Sequence, residues 1–198
     1  MRIPIVLASA SPRRRELFAR LRVPFEVCPS DVDERPWARE TPEALVRRLA
    51  CAKASKAFAH KRASVVLAAD TIVAVGDDIL GKPAGEDEAR RMLRRLSGRA
   101  HRVLTGYCIM GPGGQRVDDV VRSDVCFREL DDGEIDAYLA TGEPFDKAGA
   151  YAIQGGAADF VSELRGSYDN VVGLPLDQVA AALERFVRLP ERDGAPLA

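Results

Sequence analysis

The sequence predicts an α/β fold: a mixed sheet with helices packed against it. Three observations lead there. A strongly apolar, β-branched run spans Val65–Val75, broken only by Asp70 and Thr71. Ser11-Pro12 and Thr41-Pro42 each pair a capping hydroxyl with a proline suited to the first helical turn. Residues 101–110 and 117–127 alternate as two strands around the turn-forming Gly111-Pro112-Gly113-Gly114. Hairpin and crossover connections therefore occur in one chain.

In order, residues 3–8 form a short apolar run expected to be a buried strand. A helix follows Ser11-Pro12 and runs through Leu17, Phe18 and Leu21. Residues 23–28 are a second strand and 31–39 a polar loop. Thr41-Pro42 opens a long helix reaching about Lys61. The strand at 65–75 ends in a turn at Asp77-Asp78, and 86–96 is helical. After the strand pair come a helix at 131–141, a loop-rich stretch at 142–156 with short extended pieces, a strand at 160–164 and a last helix at 175–186. Residues 1–189 are expected to form one domain, and 190–198 a mobile tail with little to bury. There is no repeat, linker or low-complexity segment.

The chain has 198 residues, 46% apolar and 30% charged, enough for a real core without staples. A formal net charge of -1 offers no global field for nucleic acid or an anionic membrane, so any anion site must be local. Cys28, Cys51, Cys108 and Cys126 form no C-x-x-C pair, and only His60 and His101 accompany them, which disfavours structural zinc. Scattered thiols suit a reducing compartment. The apolar start is too short for a signal peptide, and no run approaches the roughly 20 residues of a membrane span. A cytoplasmic enzyme is expected.

Three local patterns resist a purely structural reading. Asp70 interrupts the most apolar run in the chain, where a carboxylate is costly unless paired, hydrogen-bonded or metal-bound. At about 100° per residue, Lys53 falls in the middle of the arc of Val46, Leu49, Ala50 and Ala57, so it needs an anionic partner or a route to water. Ser9, Ser11, Arg13 and Arg14 surround the start of the first helix, where free amides and fork-shaped guanidinium donors suit phosphate. Gly76, Gly81 and Lys82 mimic Walker A spacing, but Pro83 supplies neither hydroxyl nor amide, so a P-loop is rejected while Lys82 keeps a role in phosphate binding. Arg15, Arg47-Arg48, Arg90-Arg91 and Arg94-Arg95 read as solvated faces. No G-x-S-x-G elbow is present.

Taken together, these segments resemble the Maf family of nucleotide pyrophosphatases, also called septum-formation proteins. The resemblance rests on Leu7-Ala-Ser-Ala-Ser-Pro-Arg-Arg14, Asp33-Glu34, Arg48-Leu-Ala-Cys-Ala-Lys53, Ala69-Asp-Thr-Ile-Val73, Leu80-Gly-Lys-Pro83 and Leu96-Ser-Gly-Arg-Ala-His101. It continues through Glu143-Pro-Phe-Asp-Lys-Ala-Gly-Ala-Tyr151, Ile153-Gln-Gly155 and Asn170-Val-Val-Gly-Leu-Pro175. Order and spacing, more than any one motif, make it specific. It implies a two-lobed fold like that of inosine triphosphate pyrophosphatases, with a long twisted mixed sheet and a central cleft, and homodimers are common in such families. It implies Asp70 as the active-site aspartate, with Ser9, Arg13, Arg14, Glu34, Lys53 and Lys82 at anion and metal positions. Arg13, Thr71 and Gln154 resemble the branch acting on dTTP and UTP, and on some modified pyrimidine nucleotides, rather than the methylated-GTP branch. A glutamine amide both donates and accepts, which suits the edge of thymine or uracil. Ala152 stands where the family pattern has glycine.

The implied reaction is water attack on the α-phosphorus with loss of pyrophosphate. Magnesium or manganese would be held by Asp70 and Glu34, since hard cations prefer oxygen ligands. The alternatives are a division regulator that binds nucleotide without turnover, and the methylated-GTP branch. Nucleic acid and membrane partners are not expected.

Overall fold

The computed structural model describes residues 3–190. Within them, seven strands and six α-helices make a mixed α/β architecture. The strands are β1 (Ile5–Leu7), β2 (Glu26–Val27), β3 (Val65–Val75), β4 (Asp78–Leu80), β5 (Ala100–Met110), β6 (Arg116–Phe127) and β7 (Val161–Arg165). The helices are α1 (Pro12–Ala19), α2 (Pro42–His60), α3 (Glu86–Leu96), α4 (Asp132–Ala140), α5 (Tyr168–Val172) and α6 (Leu176–Leu183). The expected mobile tail lies, apart from Pro190, outside the described residues.

The helix starts follow their caps. Ser11 and Thr41 accept from the backbone amides of Arg14 and Ala44, with Pro12 and Pro42 in the first turns. Asp131 and Glu134 form a reciprocal capping box on α4. Three departures from the sequence reading have local causes. Pro24 has no amide for a ladder, and β2 shrinks to two exposed residues at the sheet edge. β4 pairs back on β3 after a turn whose Gly76 has φ +59°. α5 is a single short turn capped by Ser167, too brief to leave a periodic signature.

The sheet order is β2-β1-β3-β5-β6-β7, with β4 added to β3. β1 is parallel to β2 and β3, and the remaining pairings are antiparallel. One edge of β3 is paired with β5 from Val66 to Ala74. On the other edge, β1 covers Val65–Leu67 and β4 covers Val73–Val75. Between them that edge carries no strand. This notch opens at the carboxyl end of β1, the place where open α/β sheets bind ligands.

Strand periodicity sorts β3 onto two faces. Val65, Leu67, Ala69 and Val73 join the large core with α1, α3, α4 and α6. Val66, Ala68 and Ile72 face α2, packing against Ala50, Ala54, Ala57, Leu45, Val46 and Leu49. Opposite Asp70 on β5 lies Gly106, where a Cβ would stand 2.4 Å from the Val46 carbonyl oxygen. α2 therefore lies against bare backbone beside Asp70.

A buried aromatic cluster closes the far side of the core. His101 is 2% exposed, stacks edge-on against Phe127 and Tyr151, and shares a 2.8 Å hydrogen bond between Nε2 and the Tyr151 hydroxyl. Burial pushes its imidazole down to about 4. The folded chain thus keeps His101 neutral while the unfolded chain protonates near pH 6.5. Its contribution is fully present above pH 6.5 and is lost as pH falls toward 4, about 3 kcal/mol in all. Urea unfolding as a function of pH checks this: His101→Phe flattens the slope of stability across that window.

Candidate active site

The notch gathers residues from both faces of the sheet. Asp70 follows the even positions of β3, so it points toward α2, and there it meets Lys53. Lys53 is 8% exposed and Asp70 7%. The ammonium contacts Asp70 Oδ1 at 2.6 Å and Glu34 Oε1 at 2.5 Å. Glu34 arrives from the loop between β2 and α2 and keeps a largely exposed side chain. The apolar arc that made Lys53 anomalous is resolved by this pair of anions, not by snorkelling.

Thr71, the next residue, points to the opposite face. Its hydroxyl lies 2.9 Å from that of Thr105, its cross-strand partner, and accepts from Arg14 Nη2 at 3.0 Å. Arg14 also donates Nε to the Gly173 carbonyl at 2.8 Å and Nη1 to Ser9 Oγ at 3.5 Å. Ser9 Oγ in turn accepts the Ser11 amide at 3.2 Å. The first-helix cluster is thus a built network rather than a solvated basic turn. Burial lowers the Arg14 pKa, opposed by the charges of Asp70 and Glu34.

The network extends beyond the residues singled out from sequence. Thr105 donates to the Asn170 carbonyl at 3.0 Å, and the Asn170 amide donates to Val103 O and Ser123 Oγ. Thr105 carried no sequence signal, because its role depends on register with Thr71. Asn170 lies in a segment that carried the family resemblance.

Arg13, Lys82 and Gln154 have no side-chain hydrogen bond or ion pair among the described residues. Their backbones are nonetheless fixed. The Gly149 amide donates to the Gly81 carbonyl at 3.0 Å, tying the Lys82 turn to the segment leading to Gln154. The Ala152 amide donates to the Tyr138 hydroxyl, and the Gly156 amide to Glu143 Oε2, both at 3.0 Å. A Cβ at Gly155 would meet the Glu143 carboxylate at 1.8 Å, so the loop hugs that side chain. Arg13 is near enough to Tyr138 for its charge to act there.

Most arginines read as solvated faces are that: Arg94 pairs with Asp132 at the surface and Arg47 with Asp118, whereas Arg90 is largely buried between Glu86 and Asp136. Arg48 is not a solvated face either. It is half-buried and bidentate to Glu40, at 2.6 and 2.8 Å.

No group of three or more His, Cys, Asp or Glu side chains stands ready for a metal among the described residues. The donor set present is two carboxylates converging on one ammonium. Lys53 supplies the hydrogen bond found on Asp70, which leaves most of its lone pairs available. Such a sparse oxygen set fits a hard divalent cation that keeps waters and takes further ligands from a phosphate.

A mixed sheet with a notch flanked by a guanidinium network and by two carboxylates on one ammonium defines an α/β protein with a charged opening in its sheet. The chain belongs to the Maf family, whose profile, described as Maf-like protein, matches residues 4–186. It is 52% identical over 184 residues to a protein of Anaeromyxobacter dehalogenans named dTTP/UTP pyrophosphatase, covering 91% of this chain and 93% of that one. A Myxococcus xanthus protein of the same name is 52% identical over 181 residues, covering 91% of each. Among solved structures, a HAM1 protein from Coxiella burnetii matches at 18% identity with a TM-score of 0.48, covering 92% of this chain and 99% of that one.

The Lys53 contacts predict a stability effect. Lys53→Met leaves Asp70 buried beside a thioether, and the fold loses about 3 kcal/mol at neutral pH. A lowered urea midpoint with an unchanged m-value is the expected result.

Proposed function

We propose that the chain hydrolyses dTTP and UTP to the nucleoside monophosphate and pyrophosphate. The observation that carries this is the Asp70–Lys53–Glu34 cluster at the sheet notch, in a chain of the Maf family whose relatives bear that activity as their name. We read residues 1–189 as one domain of two lobes. Four free cysteines suit the cytoplasm as its location.

In this reading, Arg13, Arg14 and Lys82 bind the triphosphate, aided by the amides that open α1. Ser9 and Thr71 hold Arg14 in place. Lys53 draws the carboxylates of Asp70 and Glu34 toward one small space. When bound there, magnesium or manganese supplies charge neutralisation and a more acidic water. Asp70 takes the proton as the water oxygen bonds to the α-phosphorus, and the bond to the pyrophosphate oxygen breaks. The leaving pyrophosphate keeps the cationic contacts of Arg13 and Lys82. Gln154 reads the base edge, with its loop fixed by Tyr138 and Glu143.

Pyrophosphate release from a nucleoside triphosphate panel, with metal or chelator, tests the assignment. Wild type is expected to turn over dTTP and UTP in a metal-dependent way. Asp70→Asn is expected to stay folded and lose on the order of 10²–10⁴ in rate. Turnover confined to methylated GTP would reassign the branch, and nucleotide binding without turnover would favour a regulator.

The base-reading role is separable. Gln154 is exposed and contributes little to the core. Gln154→Ala is expected to raise KM for dTTP and UTP while leaving the melting temperature in place. An unchanged substrate profile would remove Gln154 from recognition.

A further inference from the structure

The loop that brings Glu34 to Lys53 is exposed along almost its whole length, yet it is stapled to α2 at both ends. At its start, Ser30 Oγ donates to the Lys53 carbonyl at 3.0 Å and Lys56 Nζ donates to the Asp31 carbonyl. At its end, Arg48 donates Nε and Nη2 to the two oxygens of Glu40 and Nη2 to the Arg35 carbonyl at 3.1 Å. The Arg48 guanidinium also lies over the Trp37 ring, 4.1 Å from its centroid. Glu40 Oε2 further accepts the Trp37 amide at 3.0 Å, closing a turn in which Arg39 takes φ +62°.

This is a dense arrangement for a surface loop. Glu40 keeps 6% of its side chain exposed and Arg48 17%, whereas Trp37 is 67% exposed as a residue. A bidentate, partly desolvated pair of this kind fixes orientation as well as contributing energy. A left-handed Arg39 persists only where neighbours enforce it. Glu34 sits three residues before Trp37, so where the clamp holds the loop decides where the carboxylate reaches. The Arg48 guanidinium also feels the charge of Asp70.

We infer that Arg48, through Glu40 and Trp37, is a positioning residue that holds Glu34 at the Lys53–Asp70 cluster. This rests on the proposed role of Glu34 as a cation ligand. The clamp itself can be read without that role, because Trp37 is the only tryptophan of the chain.

The test compares wild type, Arg48→Met, Glu34→Gln and the double variant as full chains. Acrylamide quenching of Trp37 is measured without ligand, and Mn2+ affinity by the paramagnetic signal of the free ion. Arg48→Met is expected to raise the quenching constant by up to about 1.5-fold, since Trp37 is already 67% exposed, and to weaken Mn2+ binding about tenfold, the usual range for a group that orients a ligand. Glu34→Gln is expected to weaken Mn2+ similarly, and the double variant no further. Arg48→Lys keeps the charge but lacks the fork, and is expected to fall between; it stands in if Arg48→Met does not fold. Unchanged quenching in Arg48→Met overturns the clamp. So does wild-type Mn2+ affinity in Arg48→Met when Glu34→Gln is impaired, or losses that multiply in the double variant. Wild-type affinity in Glu34→Gln alone overturns the ligand reading of Glu34. The coupling is then read from kcat for dTTP in the same four proteins, where losses that do not add support the clamp and losses that add overturn it.

Discussion

The rest of the site depends on a buried ammonium. Lys53 stands among alanines and leucines on the sheet-facing side of α2, where a lone charge is costly. Contact with Asp70 and Glu34 makes that burial tolerable. The contact needs α2 close to the sheet, and closeness needs Gly106, because any side chain there runs into the Val46 carbonyl. The register between β3 and β5 places Gly106 directly opposite Asp70. A helix position, a strand register and a missing side chain are therefore one constraint. Gly106 carries no chemistry, but the chemistry is built around it.

Adjacent residues of β3 serve different halves of the site. Asp70 faces α2 and Thr71 faces α1 and α5, as a two-residue period demands. An ordinary sheet would keep those halves apart. Here β1 stops at Leu7 and β4 begins pairing only at Val73, so the edge is open where the two side chains depart. The charges of Asp70 and Glu34 oppose the lowering that burial imposes on the Arg14 pKa. A basic first-helix cluster and an acidic helix–strand cluster thus flank one opening in the sheet.

Much of this was legible because burial and charge conflict visibly in sequence. Asp70 in a β-branched run and Lys53 on an apolar helix face each called for a partner, and each is the other's partner. The strands and helices with clear period or caps lie where periodicity put them. What escaped was short or long-range. β4 and α5 are too brief to show a period. Glu34, in a polar loop, has no pattern of its own and came only from family resemblance. Arg48 was misread because its partner lies eight residues back, outside the helical i,i+4 neighbourhood, on a loop whose path no local rule describes. Thr105 becomes meaningful only once cross-strand register is known.

A near-neutral chain can still present a strong local field. Many of its arginines are neutralised where they stand: Arg102 by Glu43, Arg128 by Glu134, Arg165 by Glu163. Arg14 differs, spending its donors on neutral oxygens of Gly173, Ser9 and Thr71. Neutral acceptors orient a guanidinium without cancelling its charge. Arg13 and Lys82 have no carboxylate partner among the described residues either, while their backbones are pinned by α1 and by the Gly81–Gly149 hydrogen bond. Only the Arg14 guanidinium combines a fixed position with uncancelled charge, so little ordering of that group is needed for it to face an anion, whereas the side chains of Arg13 and Lys82 keep their rotamer freedom. The acidic pair across the notch has the complementary arrangement, its charge partly balanced by Lys53 and its lone pairs largely free. Successive residues of β3 thus send an acidic and a guanidinium-bearing cluster to opposite faces of the sheet.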